Sequence, residues 1–179
     1  MRKEIIIAGR GGQGILLLGH VIGVAAAKFS DYYVTGTESY SAETRGGDSK
    51  AEIIIADSAE ELGYVKVRRA DIAVFMYNEQ LVKYSNLVRP NALVFTDSTF
   101  ITEVGRRDWV IKSAPYTRIA ESELGTPRVA NMVALGHLIG ATKLLSTEAV
   151  EKAIAYAVKK SWVEINRKAF RRGLKIAGE

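Results

Sequence analysis

The chain has 179 residues, of which 47% are hydrophobic and 25% charged, enough for one compact body with its own core. It contains no cysteine and two histidines far apart, which excludes a cysteine-held iron–sulfur cluster or disulfide and argues against a zinc site. The net charge of +5 is spread over several segments and interleaved with 20 acids, so it does not by itself mark a nucleic-acid binder.

The first element is an apolar run, Glu4-Ile-Ile-Ile-Ala8, that reads as a buried strand and leads into Gly9-Arg-Gly-Gly-Gln-Gly14. Glycines here let the backbone turn sharply and present N–H groups at the start of a helix over about 13–29, where the dipole favours anions. Gly9, Gly11, Gly12, Gln13 and Gly14 are therefore candidate phosphate contacts. The spacing alone is a weak signal, because any close strand-to-helix turn also needs glycines. A β-branched residue at Gly11 is expected to disturb the turn. No uninterrupted apolar stretch approaches the roughly 20 residues of a membrane span, and the start Met1-Arg-Lys has no leader-like character. A cytoplasmic protein without membrane partners is the expectation.

An extended stretch near 32–37 precedes the loop Glu38-Ser-Tyr-Ser-Ala-Glu-Thr-Arg-Gly-Gly47. Gly46 and Gly47 free the backbone beside Arg45, whose planar fork suits a carboxylate or phosphate. Internal salt bridges of Glu43 and Arg45 are an equally weighted alternative, and Tyr40 is the loop's lone aromatic. Further strands are predicted at 51–56, 72–77, 92–96 and 108–112. Ser58-x-x-Glu61 has the form of a capping box opening a short helix, and 78–88 reads as a helix ended by Pro90. From about Thr117 helical patterns dominate, with Asn131 as a cap or an interface contact. The C-terminal segment carries Arg167, Lys168, Arg171, Arg172 and Lys175 on one face of an amphipathic helix, read as a solvated or partner-docked surface and not a nucleic-acid site. This alternation predicts a single α/β domain over 1–179: a three-layer α/β/α sandwich around a Rossmann-like, mostly parallel sheet, with a helical C-terminal part.

Four ordered motifs carry a resemblance. They are Gly9-x-Gly-Gly-Gln-Gly14; Ser39-Tyr-x-x-Glu-x-Arg-Gly-Gly47; Ala114-Pro115 leading to Ile119-Ala-Glu-x-x-Leu-Gly125; and Asn131-Met-Val-Ala-Leu-Gly136. Together they make the chain similar to the gamma subunits of 2-oxoacid:ferredoxin oxidoreductases, including the pyruvate and 2-oxoglutarate enzymes, although that family often has Gly-Pro or Gly-Ala where Ser41-Ala42 stands here. The resemblance implies a noncatalytic subunit of an oxidoreductase that converts a 2-oxoacid, coenzyme A and oxidised ferredoxin to acyl-CoA, CO2 and reduced ferredoxin. It places thiamine diphosphate and the iron–sulfur clusters on alpha, beta and possibly delta (ferredoxin-like) partner subunits, with none on this chain. It also implies a structural role that borders the coenzyme A site, where the glycine turn and Arg45 would meet phosphates. The rival is a freestanding Rossmann-type nucleotide-binding oxidoreductase, with Glu38 gripping a ribose 24 residues after Gly14.

Overall fold

A computed structural model describes residues 1–42 and 46–178. Six strands form one sheet in the order β2-β3-β1-β4-β5-β6: β1 (Arg2–Arg10), β2 (Tyr33–Tyr40), β3 (Asp48–Ala56), β4 (Ala70–Phe75), β5 (Val88–Asp97) and β6 (Val110–Ala114). β1, β4, β5 and β6 pair in parallel, whereas β3 runs antiparallel to both β1 and β2. The expectation of a mostly parallel sheet thus holds for strand direction, with β3 alone reversed. The reversal follows from a β2–β3 hairpin, in which Tyr40 pairs with Ser49 and Ser41 N–H donates to the Asp48 carbonyl at 2.8 Å.

The continuous apolar run of β1 alternates faces like any strand. Ile5 and Ile7 join Ile53, Ile55, Val74 and Phe95 on one side, while Ile6 and Ala8 join Ile54, Ala73, Phe75 and Val94 on the other. The first face is covered by α1 (Ile15–Lys28), α3 (Tyr116–Leu124), α4 (Ala130–Thr142), α5 (Thr147–Ala157) and α6 (Val163–Gly178). The second is covered by α2 (Asn78–Tyr84) and by side chains from the connections, among them Val67, Ile101 and Trp109. The outer layers are therefore unequal, five helices against one. Helices α4 and α6 meet backbone to backbone: a Cβ on Gly136 would run into the Phe170 carbonyl, and one on Gly173 into the Val133 carbonyl.

Two expected elements differ. Residues 58–61 form turns and no helix; Glu61 instead lies 3.5 Å from the N-terminal ammonium. The segment ends where the amides of Arg68 and Arg69 donate to the buried Glu4 carboxylate at 2.8 and 2.9 Å, so a side chain on β1 fixes its path. Pro90 does not end a helix but lies inside β5 at a register irregularity, where Asn91 has φ 61° and its N–H donates to the Asp108 carbonyl at 2.6 Å. A bulge removes the ladder bond that proline could not have made.

The basic face predicted for the C-terminal helix is largely consumed internally. Arg171 grips Glu151 through both nitrogens at 2.6 and 3.1 Å, Arg172 pairs with Glu123 at 2.7 Å, and Lys168 pairs with Glu164 at 3.3 Å. Arg167 donates to the Glu151 carbonyl.

Candidate functional site: the glycine turn and the cleft beside it

The turn that follows β1 is built around Gln13. The Arg10 N–H donates to Gln13 Oε1 at 2.8 Å, and Gln13 Nε2 donates to the Met76 carbonyl at 3.0 Å. One carboxamide thus bridges the carboxyl ends of β1 and β4, the two parallel neighbours between which an open α/β sheet places its ligand crevice. There is no space for a side chain at Gly9, whose Cβ would stand 2.7 Å from Gln13 Oε1 and 3.0 Å from Met76 Cβ. On this side lies a hollow of about 200 Å³, between Gln13, Met76, Phe100, Thr117, Pro127 and Arg128.

Gly14 closes the turn at φ 70° and ψ 31°. Its carbonyl accepts Leu18 N–H at 3.0 Å, starting α1, and also Asn131 Nδ2 at 3.0 Å. Asn131 is 1% exposed, and its Oδ1 accepts Met132 N–H at 2.9 Å. It is neither a cap nor an outward contact, because it lies within α4 and points into the molecule. A Cβ on Gly14 would collide with that amide. Gly11 behaves differently from expectation: its φ is not positive and a Cβ there would lie 3.6 Å from the Gly47 carbonyl, an ordinary contact.

The hairpin loop lies over the other side of the turn. Gly11 N–H donates to the Gly47 carbonyl at 2.7 Å, and Arg10 Nε donates to the Gly46 carbonyl at 3.2 Å. Arg10 also stacks on the Tyr77 ring at 4.7 Å, which rests on Phe100 at 5.3 Å. Below the loop, Asp48 accepts Lys83 Nζ at 3.0 Å and the Tyr84 hydroxyl. Burial alone would raise the Asp48 carboxyl, but hydrogen bonds from Tyr84 and Lys83 outweigh it and hold the group below the usual carboxylate range. Burial and the Asp48 bond push the Tyr84 hydroxyl up.

Between loop and turn opens a cavity of about 700 Å³. Its wall includes Gly11, Gly12, Gly14, the first turn of α1 (Ile15, Leu16, Leu17), Tyr40, Ser41, Gly46 and Gly47. The first-turn amides of a helix have no intrahelical acceptor, which gives this wall an anion-favouring edge beside the apolar Leu16 and Leu17. Tyr40, 75% exposed, stands at its rim. Adjoining it, Arg10, Ser39, Glu79 and Lys83, with Ser41, Gly46 and Gly47, border a second, polar cavity of about 490 Å³.

The structure therefore brings together Gly9, Gly11, Gly12, Gln13, Gly14, Tyr40, Gly46, Gly47 and Asn131; Glu43 and Arg45 lie outside the described residues. Gln13 and Asn131 serve the turn itself. Arg10 and Tyr77 are additions, and the only sequence signal for Arg10 is a cation between two glycines at a strand end. His20 is exposed on α1, and His137 is buried on α4 with its Nδ1 2.8 Å from the Tyr116 hydroxyl. Asp97 is fully buried and spends its carboxylate on Thr99 N–H and on the Thr117 hydroxyl at the start of α3. Among the described residues no group of three or more His, Cys, Asp or Glu could hold a metal, and no helix is long and apolar enough to cross a membrane.

This geometry speaks against the dinucleotide rival. Gln13 fills the crevice a pyrophosphate would need, and Glu38 is exposed on the edge strand β2, separated from β1 by β3.

The fold is that of an oxidoreductase gamma subunit: it superposes with TM-score 0.85 and 32% identity on the keto/oxoacid ferredoxin oxidoreductase gamma subunit from Geobacter sulfurreducens, covering 98% of each chain. The model of the pyruvate ferredoxin/flavodoxin oxidoreductase family matches residues 4–176, and the chain belongs to that family. It is 40% identical to the 2-oxoglutarate synthase subunit KorC of Methanothermobacter marburgensis over 100% of this chain and 98% of that one. The same fold, at 21% identity and TM-score 0.86, occupies 31% of the 2-oxoglutarate:ferredoxin oxidoreductase chain from Magnetococcus marinus, whose structure holds 2-oxoglutarate, coenzyme A and succinyl-CoA. The chain is thus a gamma-type subunit of a 2-oxoacid:ferredoxin oxidoreductase, and other subunits complete the enzyme.

Proposed function

We propose that the whole chain, 1–179, is one gamma-type domain of a complex acting on 2-oxoglutarate, and that it supplies no reacting group but one wall of the coenzyme A path. Full-length identity of 40% to KorC supports the substrate. The observation that carries the placement is the open cleft of about 700 Å³ between glycine turn and hairpin loop. It combines what an extended, phosphate-bearing molecule needs: helix-start amides and glycine backbone for the anionic end, with Leu16, Leu17 and Tyr40 for the apolar parts. In this reading Gly11, Gly12, Gly14 and Arg45 face coenzyme A, and Tyr40, Glu43, Gly46 and Gly47 meet the ligand or a partner subunit. Thiamine diphosphate and the iron–sulfur clusters, which carry decarboxylation and electron transfer to ferredoxin, belong to the alpha, beta and delta-type partners. The chain's own work is to orient coenzyme A and to exclude water from the junction.

Affinity purification from native extract should recover thiamine- and cluster-bearing subunits and an activity dependent on 2-oxoglutarate and coenzyme A. A chain recovered alone, or a complex that ignores 2-oxoglutarate, ends this reading. Within the complex, Ser41→Trp places a bulky ring in the cleft and is expected to raise KM for coenzyme A. An unaltered KM removes the cleft from the path.

A further inference from the structure

We propose that Arg10 is a positioning residue: its guanidinium sets how closely the Gly46–Gly47 end of the hairpin loop sits on the glycine turn, and through that spacing tunes coenzyme A binding. The proposal rests on the reading that the cleft borders coenzyme A.

One backbone and two side-chain contacts fix Arg10 and leave its planar head little freedom. Its own N–H is tied to Gln13 Oε1, its Nε donates to the Gly46 carbonyl at 3.2 Å, and its face lies on the Tyr77 ring at 4.7 Å, which Phe100 backs at 5.3 Å. Gly46 is shaped to this arrangement from the opposite side. It adopts φ 64°, and a Cβ there would stand 2.6 Å from an Arg10 terminal nitrogen. An alanine would both strain the backbone and displace the guanidinium. The second fastening, Gly11 N–H to the Gly47 carbonyl at 2.7 Å, lies beside the first, so loop and turn are joined at two adjacent peptides. Gly46, Gly47 and Ser41 line both the large cleft and the polar cavity that Arg10 borders, whereas Arg10 itself does not line the cleft. Arg10 therefore acts on the cleft through the backbone it holds. A lysine offers neither the flat face for the ring nor a donor directed along the side chain at that height, so it cannot reproduce the spacing.

The test uses the assembled complex with coenzyme A varied at saturating 2-oxoglutarate and ferredoxin. Losing one stacking contact and one hydrogen bond predicts that Arg10→Gln raises KM for coenzyme A about tenfold, with kcat held within about twofold. Arg10→Lys should fall between wild type and Arg10→Gln, and Tyr77→Leu, which keeps the charge, should move KM the same way. Because both residues act through one contact, Arg10→Gln combined with Gly46→Ala should be no worse than Gly46→Ala alone, which carries the backbone strain as well. Fully additive effects would overturn the positioning role in favour of separate ones. A fall in kcat or assembly with KM unchanged in Arg10→Gln and Tyr77→Leu would reduce Arg10 to scaffold and also overturn it. Should Arg10→Gln leave KM unchanged while Ser41→Trp raises it, the Arg10 inference fails and the cleft reading stands; if Ser41→Trp is silent, the cleft reading itself fails.

Discussion

The two sides of the glycine turn differ more than its spelling suggests. Toward β4 the turn is sealed, because Gln13 spans the strand ends from the Arg10 N–H to the Met76 carbonyl. Toward β3 it is open, with a cleft of about 700 Å³ under a hairpin loop. The sealed side occupies the crevice that a parallel sheet ordinarily offers to a ligand, while the open side exists because β2 and β3 were added as an antiparallel pair. A glycine-rich turn is thus no guide to which of its faces stays open; the neighbouring strand decides.

Substitutions should separate according to whether a position is tied into the body or faces open space. The largest effect belongs to Gly14→Ala, which forces a Cβ into Asn131 at a positive φ and should cost about 3 kcal/mol in denaturant unfolding of the purified chain. Next comes Gln13→Ala, which leaves the Arg10 N–H and Met76 carbonyl without their partner and should cost about 2 kcal/mol. Acid sensitivity should also reside in the closed body. Burial, aided by Lys112, lowers the His137 pKa from 6.5, so the unfolded chain takes the proton first and stability falls as pH drops below about 6.5. Burial would raise the Glu4 carboxyl, but hydrogen bonds from Arg69, Arg2 and Arg68 outweigh it and lower its pKa from 4.5. Its contribution is complete above 4.5 and lost below. Melting temperatures followed from pH 8 to pH 3 should decline in two stages, with His137→Gln flattening the first and Glu4→Gln the second. A single stage unaltered by either variant would contradict this assignment. The smallest effect is expected at Gly11→Ala on the open side, within about 0.5 kcal/mol, since its Cβ has space and its φ is unstrained. A large loss there, or none at Gly14, would reverse the contrast.

Much of this was legible from residue order. Apolar runs located five strands to within a few residues and an extended stretch marked the sixth, though β2 continues through Glu38, Ser39 and Tyr40, which read as loop but pair with β3; the glycine turn with its following helix stood where expected. Two failures share one cause, a local pattern overruled by a distant contact, and a third lies in which glycine carries the strain. Ser58 and Glu61 have cap spacing, yet Glu4 on β1 anchors the end of that segment through the Arg68 and Arg69 amides. Pro90 reads as a helix stop, but the bulge at Asn91 accommodates it within a strand. Gly11 reads as the strained glycine, whereas the left-handed positions are Gly12 and Gly14. In the site, the glycines and Tyr40 were visible as a motif. The work of Gln13, Asn131 and Arg10 was not, because each bonds to a residue 36 to 117 positions away that only the folded chain brings near.

The glycine pair Gly136 and Gly173 leaves α4 and α6 touching without intervening side chains. Two rods in such contact have no lubricating layer, so neither can slide or roll past the other by trading rotamers. Since the first of them also grips the turn through Asn131, the helical layer and the glycine turn are held as one stiff frame.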